Sequence, residues 1–374
     1  MPSLLSPQIP IPSAQIQLQF LTDIQQLLQL AETTSTYKYA LLLSITRLAI
    51  EQGEASGNAL TLKIEDIAEK FIELYWNQAR PFHFDNEHAL ILNQNSGSAQ
   101  AKVISLIIEA QKNAPTITQA RMQSTAWHQL KKSISQVIRN NPLERLQIIN
   151  RVPIEFLYRY ADCSSSELSL LPNVMHCLRS FNVIIEELCQ KAWTDNVRLN
   201  KHNNHLLDNL PDLDTFLFES NRNQLQKAYP ILQEIQDNRC FYCGKTITKA
   251  KGAVDHFIPW SLYQYDTAHN FVLTDQTCNS QKSNMLAALQ FYEKWLSRNI
   301  QYDAVITQKI GSIGFIADKH RSESIAAWAY HLFDSQNSPI NFWNPLQAAP
   351  RVTDSNISST RNPLVSSRHQ ISTP

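Results

Sequence analysis

The sequence predicts a mostly α-helical protein, with a helical N-terminal region, a small strand–strand–helix unit and C-terminal helices. Apolar residues recur at helical spacing along much of the chain before about residue 235 and again after residue 282. The chain of 374 residues is longer than one hydrophobic core ordinarily supports, so we expect two or three domains. Three of the six cysteines fall between residues 240 and 278, beside two short runs typical of strands.

The first predicted region begins with residues 1–14, which are expected to form a flexible lead-in. Apolar spacing predicts helices over about 15–31 and in a segment that ends at Gly53, a residue type common at helix ends. A turn, a short strand and a third helix over about 64–76 follow. Because helices are joined here by a small strand, we interpret residues 15–95 as a winged-helix-like module, with a plain helical bundle as the alternative.

The second predicted region, residues 96–235, is also helical, with apolar periodicity over about 100–113 and 117–139. Its segment 112–151 carries seven Lys and Arg against one Glu. A basic run of this kind is either a solvated helix face or a local nucleic-acid-binding surface. Residues 346–374 are rich in Ser, Pro and Asn without apolar periodicity, so we expect a disordered tail.

The overall charge is balanced, since 33 Lys and Arg face 33 Asp and Glu. Contact with nucleic acid would therefore come from local patches and not from a global basic field. No apolar run reaches the ~20 residues of a membrane span. The first residues lack the basic and apolar parts of a signal peptide. Clustered cysteines fit a metal site in a reducing compartment, so we expect a soluble cytoplasmic protein without membrane contact.

The cysteine cluster begins in the stretch CFYCGKTITKAKGAVDHFIPW, which starts at Cys240. Cys240 and Cys243 have the spacing that binds one side of a tetrahedral zinc ion. Cys278 is the candidate third ligand, and Asp275, three residues before it, is a candidate fourth. The sequence therefore predicts a structural Zn²⁺ site that joins two separated segments.

The residues between the cysteines predict two strands followed by a helix. Alternation over 254–258 indicates a first strand, and the apolar run 271–273 indicates a second. The helical pattern begins at Gln276. Zinc would hold the first strand to the helix, because a unit of roughly 45 residues has too little core to fold alone.

This ordered combination resembles the HNH endonuclease family, the ββα-metal nucleases with an accessory zinc knuckle. The matching residues are Cys240 to Gly244, Asp255, His256, Pro259, Asn270, Cys278, Asn279 and Lys282. The resemblance implies a metal-dependent endonuclease that hydrolyses phosphodiester bonds in DNA. It also implies that residues 236–345 form an HNH nuclease domain with flanking helices.

The resemblance assigns a role to each residue of the motif. His256 would be the general base, since the unperturbed pKa of histidine, ~6.5, suits proton transfer near neutral pH. Asp255 and Asn279 would hold one catalytic Mg²⁺ or Mn²⁺ ion, because such ions prefer hard oxygen ligands. Asn270 would fix the loop and orient the His256 ring. Lys282, one turn after Asn279, would contact a phosphate of the nucleic acid.

Asp275 departs from the family, whose members usually have Cys or His at this position. Aspartate suits a thiolate zinc site less well; it could instead cap the helix, and His269 is a substitute ligand. A non-catalytic zinc-stapled module that binds nucleic acid or protein is the alternative function. Family-level analogy adds a host-defence or mobile-element context with a partner protein, and leaves the oligomeric state open.

Overall fold

The computed structural model describes residues 9–30, 34–85, 88–207, 213–218, 222–248, 251–334 and 342–345. The tail predicted over 346–374 and the first eight residues of the predicted lead-in lie outside these ranges. Within them, every helix is too short or too polar to cross a lipid bilayer.

The described residues form mainly helices, as the sequence predicts. The helices α1 to α15 span Ala14–Leu30, Tyr37–Gln52, Ile64–Tyr75, Lys102–Gln111, Ile117–Met122, Ser124–Asn140, Pro142–Arg145, Val174–Ser180, Asn182–Arg198, Asn204–Leu207, Leu213–Phe218, Arg222–Ile235, Gln276–Lys282, Leu289–Val305 and Lys319–Asp334. The strands β1 to β8 span Thr61–Lys63, His83–Asp85, His88–Leu90, Ile148–Ile149, Val152–Pro153, Glu167–Ser169, Gly252–His256 and Phe271–Asp275. In the described part of the chain these strands pair as four two-stranded antiparallel sheets.

Two predicted helices are interrupted in the structure. The helix predicted over 117–139 is divided at Gln123, whose ψ of 71° is not helical. The helical pattern predicted to continue after Asn279 breaks at Ser283, whose φ of +46° ends α13. A residue with positive φ is a common way for a helix to stop, because it turns the backbone away from the helix axis.

The described residues of the N-terminal part share one hydrophobic core, and we call residues 9–30, 34–85, 88–207 and 213–218 the helical body. Its central element is α2, in which 13 of 16 residues are buried. A helix that is buried on nearly every side is typical of the centre of a domain. The core extends from Phe20 in α1 to Leu217 in α11. The regions predicted over 15–95 and 96–235 therefore share a core and are not separate units over these residues.

Strand pairing corrects the winged-helix interpretation of residues 15–95. β1 pairs with β6, with Thr61 opposite Ser169, whereas β2 and β3 form a separate hairpin. A winged helix would combine its strands in one small sheet. Because β6 lies more than 100 residues after β1, this pairing ties the start of the helical body to its second half.

The basic segment 112–151 is partly neutralised by the acidic face of α3. Arg121 in α5 forms an ion pair with Glu69, and Lys131 in α6 lies 3.1 Å from the Glu65 carboxylate. These cations hold α5 and α6 against α3. Part of the segment is therefore structural and is not a free surface for nucleic acid.

The ββα unit belongs to a second core that follows the helical body. β7 and β8 are antiparallel, from Gly252 opposite Asp275 to His256 opposite Phe271, and α13 follows β8 directly. α12 packs on both strands. Side chains of α14 and α15 complete this core, including Trp295. The predicted order of strand, strand and helix with C-terminal helices is confirmed.

A buried ionic network joins the two cores. Glu73 in α3, whose side chain is fully buried, accepts hydrogen bonds of 2.7 Å from both Arg321 in α15 and Arg121. Lys70 bridges Glu73 and Glu51, at 3.3 and 2.6 Å. Burial alone would raise the pKa of Glu73, but Arg321, Lys70 and Arg121 together lower it. The network therefore keeps an ionised carboxylate at the junction of the helical body and the ββα unit.

Candidate active site and cysteine cluster

His256 lies at the end of β7, with its imidazole held by a carboxylate. Its Nε2 atom is 2.6 Å from Oδ1 of Asp266, and the His256 side chain is 15% exposed. The ring also contacts Trp260 and Phe271, with ring centroids 5.5 and 5.3 Å away. Because an ionised carboxylate only accepts hydrogen bonds, a neutral His256 ring in this contact has its proton on Nε2 and an acceptor lone pair on Nδ1. The imidazole can therefore accept a proton at Nδ1.

Asn270 fixes the loop between β7 and β8. Its Oδ1 accepts a 2.7 Å hydrogen bond from the Ile258 backbone N–H, and its Nδ2 donates to the Ile258 carbonyl at 3.0 Å. The sequence places Asn270 as both loop anchor and ring orienter, but the bond to the His256 ring comes from Asp266. The sequence does not single out Asp266, because no sequence pattern shows which of the fourteen residues between β7 and β8 returns to the strand end.

Asp255 and Lys282 form a buried pair beside His256. The Asp255 carboxylate accepts a 2.8 Å hydrogen bond from the Tyr242 hydroxyl and lies 3.1 Å from the Lys282 Nζ. Lys282 is 0% exposed and also donates to the His256 carbonyl at 2.8 Å. Burial lowers the pKa of Lys282, although Asp255 opposes this shift. The prediction that Lys282 contacts a phosphate is corrected, because α13 packs this side chain against β7.

Asn279 lies on the same face of α13 as Lys282, one turn earlier, and is half-buried. Since Lys282 touches Asp255 and the His256 backbone, this helix face is turned toward the end of β7. The motif assigns the catalytic cation to two residues of these elements, Asp255 in β7 and Asn279 in α13, which offer a carboxylate and an amide oxygen. Such donors fit a Mg²⁺ or Mn²⁺ ion that keeps several water ligands.

Three cysteines from two separate segments come together next to this site. The Sγ atoms of Cys240, Cys243 and Cys278 lie within 4.8 Å of one another. Burial, together with the neighbouring thiols, raises the pKa of Cys278. Metal binding would reverse this effect, since thiolates are the ligand form and a bound cation stabilises their charge. Tetrahedral zinc with Zn–S bonds of ~2.3 Å needs sulfurs at such spacing, so the cluster could bind zinc.

Neither candidate for the fourth zinc ligand belongs to this cluster. Asp275 is the N-cap of α13, and its carboxylate accepts a 2.9 Å hydrogen bond from the Thr277 backbone N–H. His269 is fully buried, with Nε2 2.9 Å from the Asp303 carboxylate. Within the described residues, the candidate zinc site therefore has three ligands, all of them cysteines.

Two comparisons with protein families match different parts of the chain. A family model described as HNH endonuclease matches residues 240–288, which include the three cysteines, both strands and α13. A second, described as a domain of unknown function (DUF8808), matches residues 17–210 and so covers more than half of the chain. A comparison of the chain with curated proteins found no match. The chain therefore belongs to the DUF8808 family through its helical body, and it carries an HNH endonuclease domain with a three-cysteine cluster, as the motif predicts.

Proposed function

We propose that this protein is a metal-dependent endonuclease that hydrolyses phosphodiester bonds in DNA. The observation that carries the proposal is the imidazole of His256, held at Nε2 by Asp266 inside an HNH domain. Nδ1 of His256 takes a proton from the attacking water. The Asp266 carboxylate then stabilises the imidazolium that forms. Asn270 keeps the loop that carries Asp266 in place.

The same proposal assigns Asp255 and Asn279 to one divalent cation. A bound Mg²⁺ or Mn²⁺ ion would supply charge stabilisation at the scissile phosphate and the leaving 3′ oxygen. Tyr242 and Lys282 orient the Asp255 carboxylate through their contacts with it. Family-level analogy extends the proposal to a host-defence or mobile-element system with a partner protein.

Cleavage of supercoiled plasmid tests the proposal against a module that only binds nucleic acid. We expect the wild type to nick plasmid in the presence of Mg²⁺ or Mn²⁺, and we expect nicking to stop when EDTA removes the cation. Asn279→Ala should lower the cleavage rate by about 100-fold, since it removes an oxygen donor to the cation. Binding of labelled DNA in EDTA should stay within about twofold of wild type.

A matched amide on the same helix controls for damage to α13. Gln281 is exposed, so Gln281→Ala should leave both cleavage and binding unchanged. If the wild type binds DNA but cuts neither DNA nor RNA with any divalent cation, the binding-module alternative replaces the nuclease proposal.

We also propose that Cys240, Cys243 and Cys278 hold a structural zinc ion. We expect about one zinc per chain. Cys243→Ser should lower zinc affinity by at least about 10-fold. Mutation of a residue that only supports a metal ligand typically costs ~10–100-fold in metal affinity, and loss of the ligand itself should cost at least as much. Zinc content after dialysis against a graded chelator measures this. Cys163→Ser is the matched control, since Cys163 lies outside the cluster. Equal zinc retention in both variants would contradict the assignment.

A further inference from the structure

A cavity of about 610 Å³ lies between the helical body and the HNH domain, beside the candidate base. Arg80 and Thr116 line it from the helical body, and Trp260 and Asp266 line it from the HNH domain. Asp266 is hydrogen-bonded to His256, and the Trp260 ring lies 5.5 Å from the His256 ring. The two groups that hold the candidate base therefore form one wall of the cavity.

One charged side chain of the cavity lining has no ionic or imidazole partner among the described residues. Four charged side chains line the cavity: Arg47 is paired with Glu186, Glu73 is paired with Arg321, and Asp266 is hydrogen-bonded to the imidazole of His256. The fourth is Arg80, whose described polar contact is a 3.4 Å hydrogen bond to the Pro115 carbonyl. Burial lowers the pKa of Arg80, and no described carboxylate offsets that cost. The lining therefore presents one guanidinium available to an anion.

Trp260 gives the cavity an aromatic surface next to His256. Its side chain is half-buried and lines both this cavity and a neighbouring one of about 480 Å³. Phe218 and Gln264 also line both cavities, so the two cavities share part of one wall. An aromatic side chain and a cation that line the same cavity are a combination that binds unpaired nucleotides, since a base can stack on the ring while a phosphate meets the charge.

The size of the cavity discriminates between nucleic-acid forms. Pockets of ~300–1,000 Å³ accept small molecules, which corresponds to one or two nucleotides. A nucleic-acid duplex is too wide for a cavity of this volume, since its major groove alone measures ~12 Å across. A duplex would therefore remain outside the cavity, whereas an unpaired nucleotide could enter it.

We propose that this cavity is a subsite for an unpaired nucleotide beside the cleaved bond, with Trp260 stacking on the base and Arg80 contacting the phosphate. The substrate class is then single-stranded or locally unpaired nucleic acid. This inference rests on the proposed nuclease function, and it gives the helical body a direct part in substrate selection.

Cleavage and binding of three labelled oligonucleotides test the subsite: a single strand, the same sequence as a duplex, and that duplex with an unpaired internal bubble. With Mn²⁺ we expect the wild-type chain to cut the single strand and the bubble at least 10-fold faster than the duplex. Arg80→Ala should weaken single-strand binding in EDTA by about 10-fold. Trp260→Ala should weaken it by about 5- to 150-fold.

Conservative and remote variants keep the test specific. Trp260→Phe retains a stacking ring and Arg80→Lys retains the charge, so both should recover most of the single-strand binding. Arg159→Ala, at an exposed arginine outside both cavities, should match the wild type. Equal cleavage of duplex and single strand, with Arg80→Ala and Trp260→Ala like wild type, would overturn the subsite alone. A wild type that binds single strands through both residues but cuts nothing would overturn the nuclease proposal, and the cavity would then be a nucleotide-binding site without a cleaved bond beside it.

Discussion

Replacement of His256 by alanine is expected to lower the rate of phosphodiester cleavage by ~10²–10⁴-fold, the usual contribution of a positioned general base. The reason is the loss of the Nδ1 acceptor, which Asp266 leaves available by holding Nε2 at 2.6 Å. Initial rates on supercoiled plasmid with Mn²⁺ measure the effect. DNA binding in EDTA should be nearly unchanged, because His256 is assigned to proton transfer in the chemical step and not to binding of DNA.

Two further variants separate a catalytic His256 from a merely structural one. His128→Ala, at a histidine whose side chain is 67% exposed, should cleave like the wild type. Asp266→Asn should lose at least about 10-fold in rate, because an amide can still bond to the ring but does not stabilise an imidazolium. Equal plasmid nicking by wild type and His256→Ala would refute the assigned base.

Replacement of Glu73 by alanine is expected to lower the free energy of unfolding by ~3–5 kcal/mol. Glu73 accepts hydrogen bonds from Arg121 and Arg321 at 2.7 Å, and its side chain is 0% exposed. Its removal leaves buried cations without their shared carboxylate, which costs more than the loss of a surface pair. Urea unfolding followed by circular dichroism measures the change.

An exposed ion pair provides the comparison for Glu73. Glu109 on α4 pairs with Lys112, the residue that follows this helix, and the Glu109 side chain is 69% exposed. Glu109→Ala should cost no more than ~1 kcal/mol, because water screens such pairs. If the two variants were destabilised equally, the buried network would have no special part in joining the helical body to the HNH domain.

Much of the HNH domain could be predicted from the sequence because its motif is carried by closely spaced residues. The spacing of Cys240 and Cys243 and the helix at Gln276 are read from local pattern, whereas the importance of Asp255 and His256 comes from the resemblance to HNH endonucleases. Local pattern also predicts most helices, since their apolar faces repeat within each segment. The interruptions at Gln123 and Ser283 were not predicted, because a single backbone angle decides each of them.

The mostly helical class, the strand–strand–helix order and most residue types of the candidate site follow from local sequence pattern and from the motif. The folded chain adds the contacts: Asp266 at the His256 ring, Lys282 buried against Asp255, and Arg80 at a cavity shared by both parts of the chain. These contacts were not predictable because exposure and partners depend on packing between elements distant along the chain. Sequence spacing specifies periodicity within one element, but it does not show which faces of separate elements come into contact.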